Sequence, residues 1–138
     1  MKPGLFVDTG FWIALLDRRD CNHAAARDSL ARLVAGYRLY VSDYVVFETL
    51  TYLNCSLRRH DLAIRFLEKT ESAGFNVLEI DRATKDHAIR LFRQYSDKDF
   101  SVTDCTSFAV MTANGIRHFA GFDSHFDQMS FLPGLARE

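Results

Sequence analysis

The chain reads as an α/β fold, a central parallel sheet of about four to five strands flanked by helices on both faces. Short apolar runs with strand character alternate with longer segments of helical period. Turn residues separate them, and the only prolines, Pro3 and Pro133, lie near the ends. Acidic residues recur where the apolar runs stop, as in Leu5-Phe6-Val7-Asp8 followed by Thr9-Gly10. In open α/β sheets ligands bind at the carboxyl ends of the strands, so these acids carry functional weight.

The elements follow in order. Leu5 to Asp8 is the first strand, and Phe11 to Leu16 a short apolar helix. Asp17-Arg18-Arg19-Asp20 is a charged loop. A helix runs from about Asn22 to Val34, with Ala24, Leu30, Leu33 and Val34 on its apolar side and Gly36 as its terminator. Leu39-Tyr40-Val41 is the second strand. Ser42 caps a helix reaching about Arg59, whose period is marked by Val45, Val46, Leu50, Leu53 and Leu57. Asp61 opens a further helix that Gly74 closes.

Asn76 to Ile80 is the third strand, after which Asp81 caps a helix through Ala88, Ile89, Leu91 and Phe92. Ser101 caps the next, which ends near Asn114-Gly115. His118-Phe119-Ala120 is the fourth strand, Ser124 to Gln128 a single helical turn, and Phe131-Leu132 the last strand.

Bulk properties narrow the class. A chain of 138 residues, 48% hydrophobic and 25% charged, suits one compact domain over residues 1–138. No apolar stretch approaches the roughly 20 residues that span a membrane, and the N-terminus has no signal-peptide pattern, so the cytoplasm is the expected location. A net charge of -1 excludes a generic polyanion binder; contact with nucleic acid needs a local basic patch. Cys21, Cys55 and Cys105 have neither zinc-ligand spacing nor a CxxC pair, and read as buried or semi-buried thiols.

Four acids stand beside apolar segments: Asp8, Glu48, Asp104 and Asp123. Each has a purely structural reading. Asp8 suits a turn, and Asp123 an N-cap. Ser101-Val102-Thr103-Asp104 is close to a capping box, with Asp104 favoured at a helix N-terminus. Glu48 suits the solvated stripe of an amphipathic helix, but Val45, Tyr52 and Cys55 share its face and argue for a more enclosed setting. Asp99 is a nearby fifth acid, while Asp97 and Asp127 read as solvated.

Taken together, the acids point elsewhere. Two carboxylates about 5 Å apart repel by roughly 3 kcal/mol at an effective dielectric of about 20. Several at one sheet edge require a cation or raised pKa values. A hard divalent ion such as Mg²⁺ accepts oxygen ligands and pairs with phosphate, and no histidine–cysteine set competes for a softer metal.

Val7-Asp8-Thr9-Gly10, Phe47-Glu48, Ser101-Val102-Thr103-Asp104-Cys105 and Gly121-Phe122-Asp123-Ser124-His125-Phe126 resemble the motifs of PIN-domain ribonucleases, above all the VapC toxins of toxin–antitoxin pairs. Asp20-Cys21-Asn22-His23-Ala24-Ala25-Ala26 is similar to the Asp-x-x-His-x-x-Ala segment of that branch. The motifs occur in order and span nearly the whole chain. The resemblance implies a PIN fold and an endoribonuclease that depends on Mg²⁺ or Mn²⁺. Asp8, Glu48, Asp104 and Asp123 match the family's acidic positions, with Asp8 and Asp104 as the central ligands. Asp99 falls where many members carry another acid, and Thr9 and Ser101 match supporting hydroxyls. Gly10 departs from the serine or asparagine of many members.

The resemblance further implies an RNA substrate, an antitoxin held in a hydrophobic groove near the early helices, and a homodimer formed through helices. Phe11, Trp12, Tyr44 and Tyr52 are candidates for base stacking, core or interface. His23 reads as a structural contact at a helix start, and His125 as a minor candidate for catalysis. Arg18-Arg19, Arg58-Arg59 and Lys98 are candidate phosphate contacts. Two other functions compete. A phosphatase using Asp8 as nucleophile wants a second acid two residues on, where Gly10 stands. A non-catalytic RNA- or protein-binding module has no use for an acid cluster that destabilises it.

Overall fold

A computed structural model describes residues 1–72 and 74–134. Five parallel strands form one sheet in the order β3-β2-β1-β4-β5. They are β1 (Gly4–Val7), β2 (Arg38–Ser42), β3 (Asn76–Leu78), β4 (His118–Ala120) and β5 (Leu132–Pro133). The helices are α1 (Thr9–Leu16), α2 (His23–Gly36), α3 (Asp43–Thr51), α4 (His60–Thr70), α5 (Arg82–Gln94), α6 (Val102–Ala113) and α7 (His125–Gln128).

The crossovers β1→β2→β3 run one way along the sheet, and β3→β4 returns past β1. With right-handed crossovers this reversal places helices on both faces and opens a crevice between β1 and β4, at their carboxyl ends. Register pairs Leu5 with His118, Phe6 with Phe119 and Val7 with Ala120. Asp8 and the Gly121-Phe122-Asp123 turn therefore leave the sheet side by side.

β1 is a continuous apolar run because it is covered on both faces: Leu5, Phe6 and Val7 are all buried. Toward α1 and α4 the core is Trp12 edge-on to Phe66, 5.1 Å between centroids. On the β4 side Phe126 stacks on Phe119 at 4.8 Å and meets Phe108 edge-on at 5.2 Å. Phe11 and Trp12 are core residues, so neither is available to stack on a base.

Several local expectations are corrected. Asp8 is the N-cap residue of α1 rather than the last strand residue, although its N–H still bonds Ala120 O at 2.9 Å. α1 accordingly starts at Thr9, not Phe11. Gly36 is the last residue of α2, and Tyr37 closes the helix through its N–H to Leu33 O. The helix capped by Ser42 does not run unbroken to Arg59: a π-helical turn occupies Tyr52–Ser56, and Arg58 takes a left-handed φ of 55°. α4 stops at Thr70, before Gly74. β3 stops at Leu78 because its partner strand ends opposite, at Ser42. β5 lies one residue later than expected; as an edge strand it tolerates Pro133. Gly115, at φ 65°, supplies the left-handed residue after α6.

The segment Asp20 to Ala26 has a structural explanation. Asp20 Oδ1 accepts from Asn22 N at 2.8 Å, His23 Nδ1 lies 2.7 Å from Ala14 O, and Ala26 is fully buried. This clamps the start of α2 onto α1. Cys105 is buried, whereas Cys21 and Cys55 are exposed, contrary to expectation: Cys21 sits in the loop before α2, and Cys55 on the open side of the π turn.

Phe126→Ala should destabilise the protein by about 3–5 kcal/mol, since it removes a fully buried ring packed against four other aromatics. Urea unfolding monitored by circular dichroism measures this directly.

Candidate active site

Three elements present acids at the carboxyl end of the sheet. Asp8 follows β1, Asp123 follows β4, and Asp104 stands in the first turn of α6. Glu48 joins them from α3, which begins directly after β2.

Asp8 is the buried member, 8% exposed. A Cβ placed on Gly121 would lie 3.3 Å from Asp8 Cβ, so the β4 turn closes tightly over it. Burial, followed by the charge of Asp104, pushes the Asp8 carboxyl up to about 7; Glu48 and Asp123 add to the rise, and the Thr9 backbone amide opposes it. The buried hydroxyl of Thr9 has no hydrogen-bond partner.

Asp104 combines capping with a place in the cluster. Ser101 Oγ accepts from Asp104 N at 2.9 Å, and Asp104 Oδ2 accepts from Ser101 N at 3.0 Å, completing a capping box. The support that Ser101 gives this carboxylate thus comes from its backbone N–H, while its hydroxyl serves the helix. Asp104 Oδ2 also lies 3.0 Å from His125 Nδ1. Asp123 forms a tight turn, Oδ1 accepting from His125 N at 2.9 Å, and its Oδ2 lies 3.1 Å from His125 Nδ1. Asp99, largely exposed, reaches His125 Nε2 at 2.8 Å.

His125 is the residue that sequence reasoning underrated. Both of its ring nitrogens face carboxylate oxygens, which accept when ionised, so the arrangement favours the protonated ring with both nitrogens donating. Burial works against that charge, but the Asp99 hydrogen bond and the charges of Asp123 and Asp104 outweigh it and raise its pKa. The same hydrogen bond lowers the pKa of Asp99. Gly121, which the sequence places in the Asp123 motif without a role, is the residue whose lack of a side chain lets the turn close over Asp8. For His125, the available signal was its spacing two residues after Asp123, the offset at which a turn aspartate meets a backbone N–H. For Gly121, it was a small residue directly after a strand that neighbours the Asp8 strand.

Glu48 corrects an expectation: it is exposed, and the face it shares with Tyr52 and Cys55 is open rather than enclosed. It still belongs electrostatically, since its charge helps raise Asp8. The tightest set of candidate ligand atoms is Asp104, Asp123 and His125, all within 4.8 Å of one another. His125 draws that set together. Asp8 and Glu48 stand outside it and have no ion-pair partner among the described residues.

The donor set suits a hard divalent ion. It is rich in carboxylate oxygen, and Cys105 beside it offers no thiolate because burial, then the charge of Asp104, pushes that thiol up to about 11. Asp104, Glu48 and Asp123 all add negative charge around Asp8, and the buried hydroxyl of Thr9, the next residue in the chain, has no partner. Such a site can hold a cation against a phosphate group.

A PIN-domain family model matches residues 5–132. The 23S rRNA-specific endonuclease VapC20 of Mycobacterium tuberculosis is 33% identical over 132 residues, covering 93% of this chain and 95% of that protein. The crystal structure of M. tuberculosis VapC20, described as a sarcin-ricin loop cleaving toxin, superposes with a TM-score of 0.87 at 29% identity, over 94% of this chain and 97% of that one. A toxin–antitoxin complex from Klebsiella pneumoniae shares the fold, with a TM-score of 0.63 at 13% identity and 88% coverage of each chain.

Without divalent ions, the folded protein retains a proton on Asp8 that the unfolded chain releases between about pH 4 and 7, so stability falls as pH rises through that window. From 3.8 to about 7, the shift is worth on the order of 4 kcal/mol above pH 7. Asp8→Asn should therefore melt higher than wild type at about pH 8 in EDTA, with the difference closing toward about pH 4. Thermal melts across pH measure it.

Proposed function

The chain belongs to the PIN-domain family, and on that footing we propose that it is a metal-dependent endoribonuclease, the toxin of a toxin–antitoxin pair. The observation that carries this reading is the convergence of Asp8, Asp104, Asp123 and Glu48 at the carboxyl end of the sheet, with the Asp8 carboxyl raised first by burial and then by the charges of the other three. The likeness to VapC20 supports ribosomal RNA as the substrate, cut within a loop.

Asp8 and Asp104 would be the central metal ligands, with Glu48 and Asp123 completing the set. Mg²⁺ or Mn²⁺, when bound, supplies positive charge to the phosphate oxygens and makes water more acidic. The capping box fixes the direction of the Asp104 carboxylate, and His125 holds Asp99, Asp104 and Asp123 in one geometry. Thr9 sets a hydroxyl beside Asp8. Hydrolysis adds water to phosphorus and breaks its bond to the leaving oxygen. Glu48, whose carboxylate has no hydrogen-bond or ion-pair partner among the described residues, takes the proton that the attacking water loses, and the leaving oxygen takes a proton from solvent.

The protein works as one PIN domain over residues 1–138, in the cytoplasm where its RNA resides; no described helix is long and apolar enough to cross a membrane. A cleft of about 490 Å³ suits the antitoxin segment: Leu16, Leu57 and Leu62 form an apolar floor, and the rim carries four arginines, Arg18, Arg19, Arg59 and Arg65, against one acid, Asp17, which matches an amphipathic chain with acidic groups. A homodimer is supported by Ile89 and Phe92, two exposed apolar side chains one turn apart on α5.

Cleavage of ribosomal RNA should require Mg²⁺ or Mn²⁺ and stop with EDTA. Asp8→Asn and Asp104→Asn should each lower the rate by about a hundredfold or more while circular dichroism shows a folded protein. Gel assays of purified protein decide it, and unchanged cleavage in EDTA overturns the reading.

A further inference from the structure

α3 divides into two faces. Val45, Val46 and Thr49 are buried, and Leu53 continues that side into the π turn. The opposite side carries Tyr44, Phe47, Glu48, Thr51 and Tyr52, spaced as one helical face. An ordinary solvated face would be polar, yet Phe47 is 62% exposed and Tyr52 38%. These residues, with Ser56 and Thr103, line an open groove of about 530 Å³.

Two features identify the occupant. The groove runs into the acid set: Glu48 is part of its wall, and Thr103 directly precedes Asp104. This continuity with the reacting acids favours the substrate itself as the occupant. The lining has no lysine or arginine, so it does not suit a phosphate backbone. It offers aromatic rings for a π-face, and the hydroxyls of Thr51, Ser56 and Thr103 for a base edge.

We propose that this groove stacks one unpaired nucleobase of the RNA next to the phosphodiester that is cut, with Phe47 and Tyr52 as the stacking platform. The proposal rests on the ribonuclease reading and adds a positioning device to it. It also states a requirement on the substrate: a base buried in a duplex stack cannot reach Phe47, so the cut strand is single-stranded or looped there.

The test uses the full chain in an Asp8→Asn background, which binds RNA without cutting it. Fluorescence anisotropy compares a labelled single-stranded RNA oligonucleotide of mixed sequence with an abasic ribose-phosphate oligonucleotide of the same length. Without the Phe47 change, the protein should prefer the base-bearing strand. Phe47→Ala should weaken that binding about tenfold, within the range for loss of one stacked base, leave the abasic strand unaffected, and keep the melting temperature. Phe47→Trp should retain the preference. Equal binding of both strands before the change, or an equal loss on both strands in Phe47→Ala, overturns the proposal. So does a Phe47→Ala protein that only shifts from dimer to monomer on sedimentation. Failure of the ribonuclease reading shows separately, as base-dependent binding by a wild-type protein that does not cleave RNA with Mn²⁺.

Discussion

One buried carboxylate constrains the rest of this structure. Asp8 lies where β1 gives way to α1, under the Gly121 turn and close enough to Asp104, Glu48 and Asp123 to feel their charges. Hydrophobic packing alone would place an apolar residue there. Everything around Asp8 instead concentrates negative charge at the crevice where the crossover direction reverses. Such an arrangement loses stability for the apo fold and gains it back when a cation is present.

The surrounding residues divide this charge unevenly. His125 serves Asp99, Asp104 and Asp123 through its two ring nitrogens. Asp8 and Glu48 have no equivalent among the described residues. His125 is anchored in turn by edge-on contact with Phe100, 5.2 Å between centroids, and by its N–H to Asp123. The loop before α6, the turn after β4 and the start of α7 are thereby tied together at one point. The capping box of α6 belongs to the same logic: the contact that starts the helix also orients the acid.

Much of this was legible in the residues because it is local. A strand ending in Asp-Thr-Gly, a Ser-x-x-Asp helix start and an aspartate two residues before a histidine each specify geometry within a few positions. The order of strands and helices follows from the same punctuation. What escaped depends on distant packing. The exposure of Glu48 and Phe47 is set by how α3 docks, with Val45 and Val46 inward, and not by their apolar neighbours in sequence. The burial of Trp12 depends on Phe66 and Phe75, more than fifty residues away. His125 acquires its meaning from Asp99, 26 residues earlier. The π turn at Tyr52–Ser56 interrupts a helix whose apolar period continues through it, so the pattern carried no warning.

The central claim is that the acids at the sheet's carboxyl end form a cation site centred on Asp8 and Asp104. Diffraction from crystals soaked in Mn²⁺, recorded to give anomalous signal, tests it most directly. The account predicts an anomalous peak within coordination distance of both carboxylates in the wild-type protein and its loss in Asp8→Asn. A peak confined to Asp99 and Asp123, or one unchanged by Asp8→Asn, would contradict it.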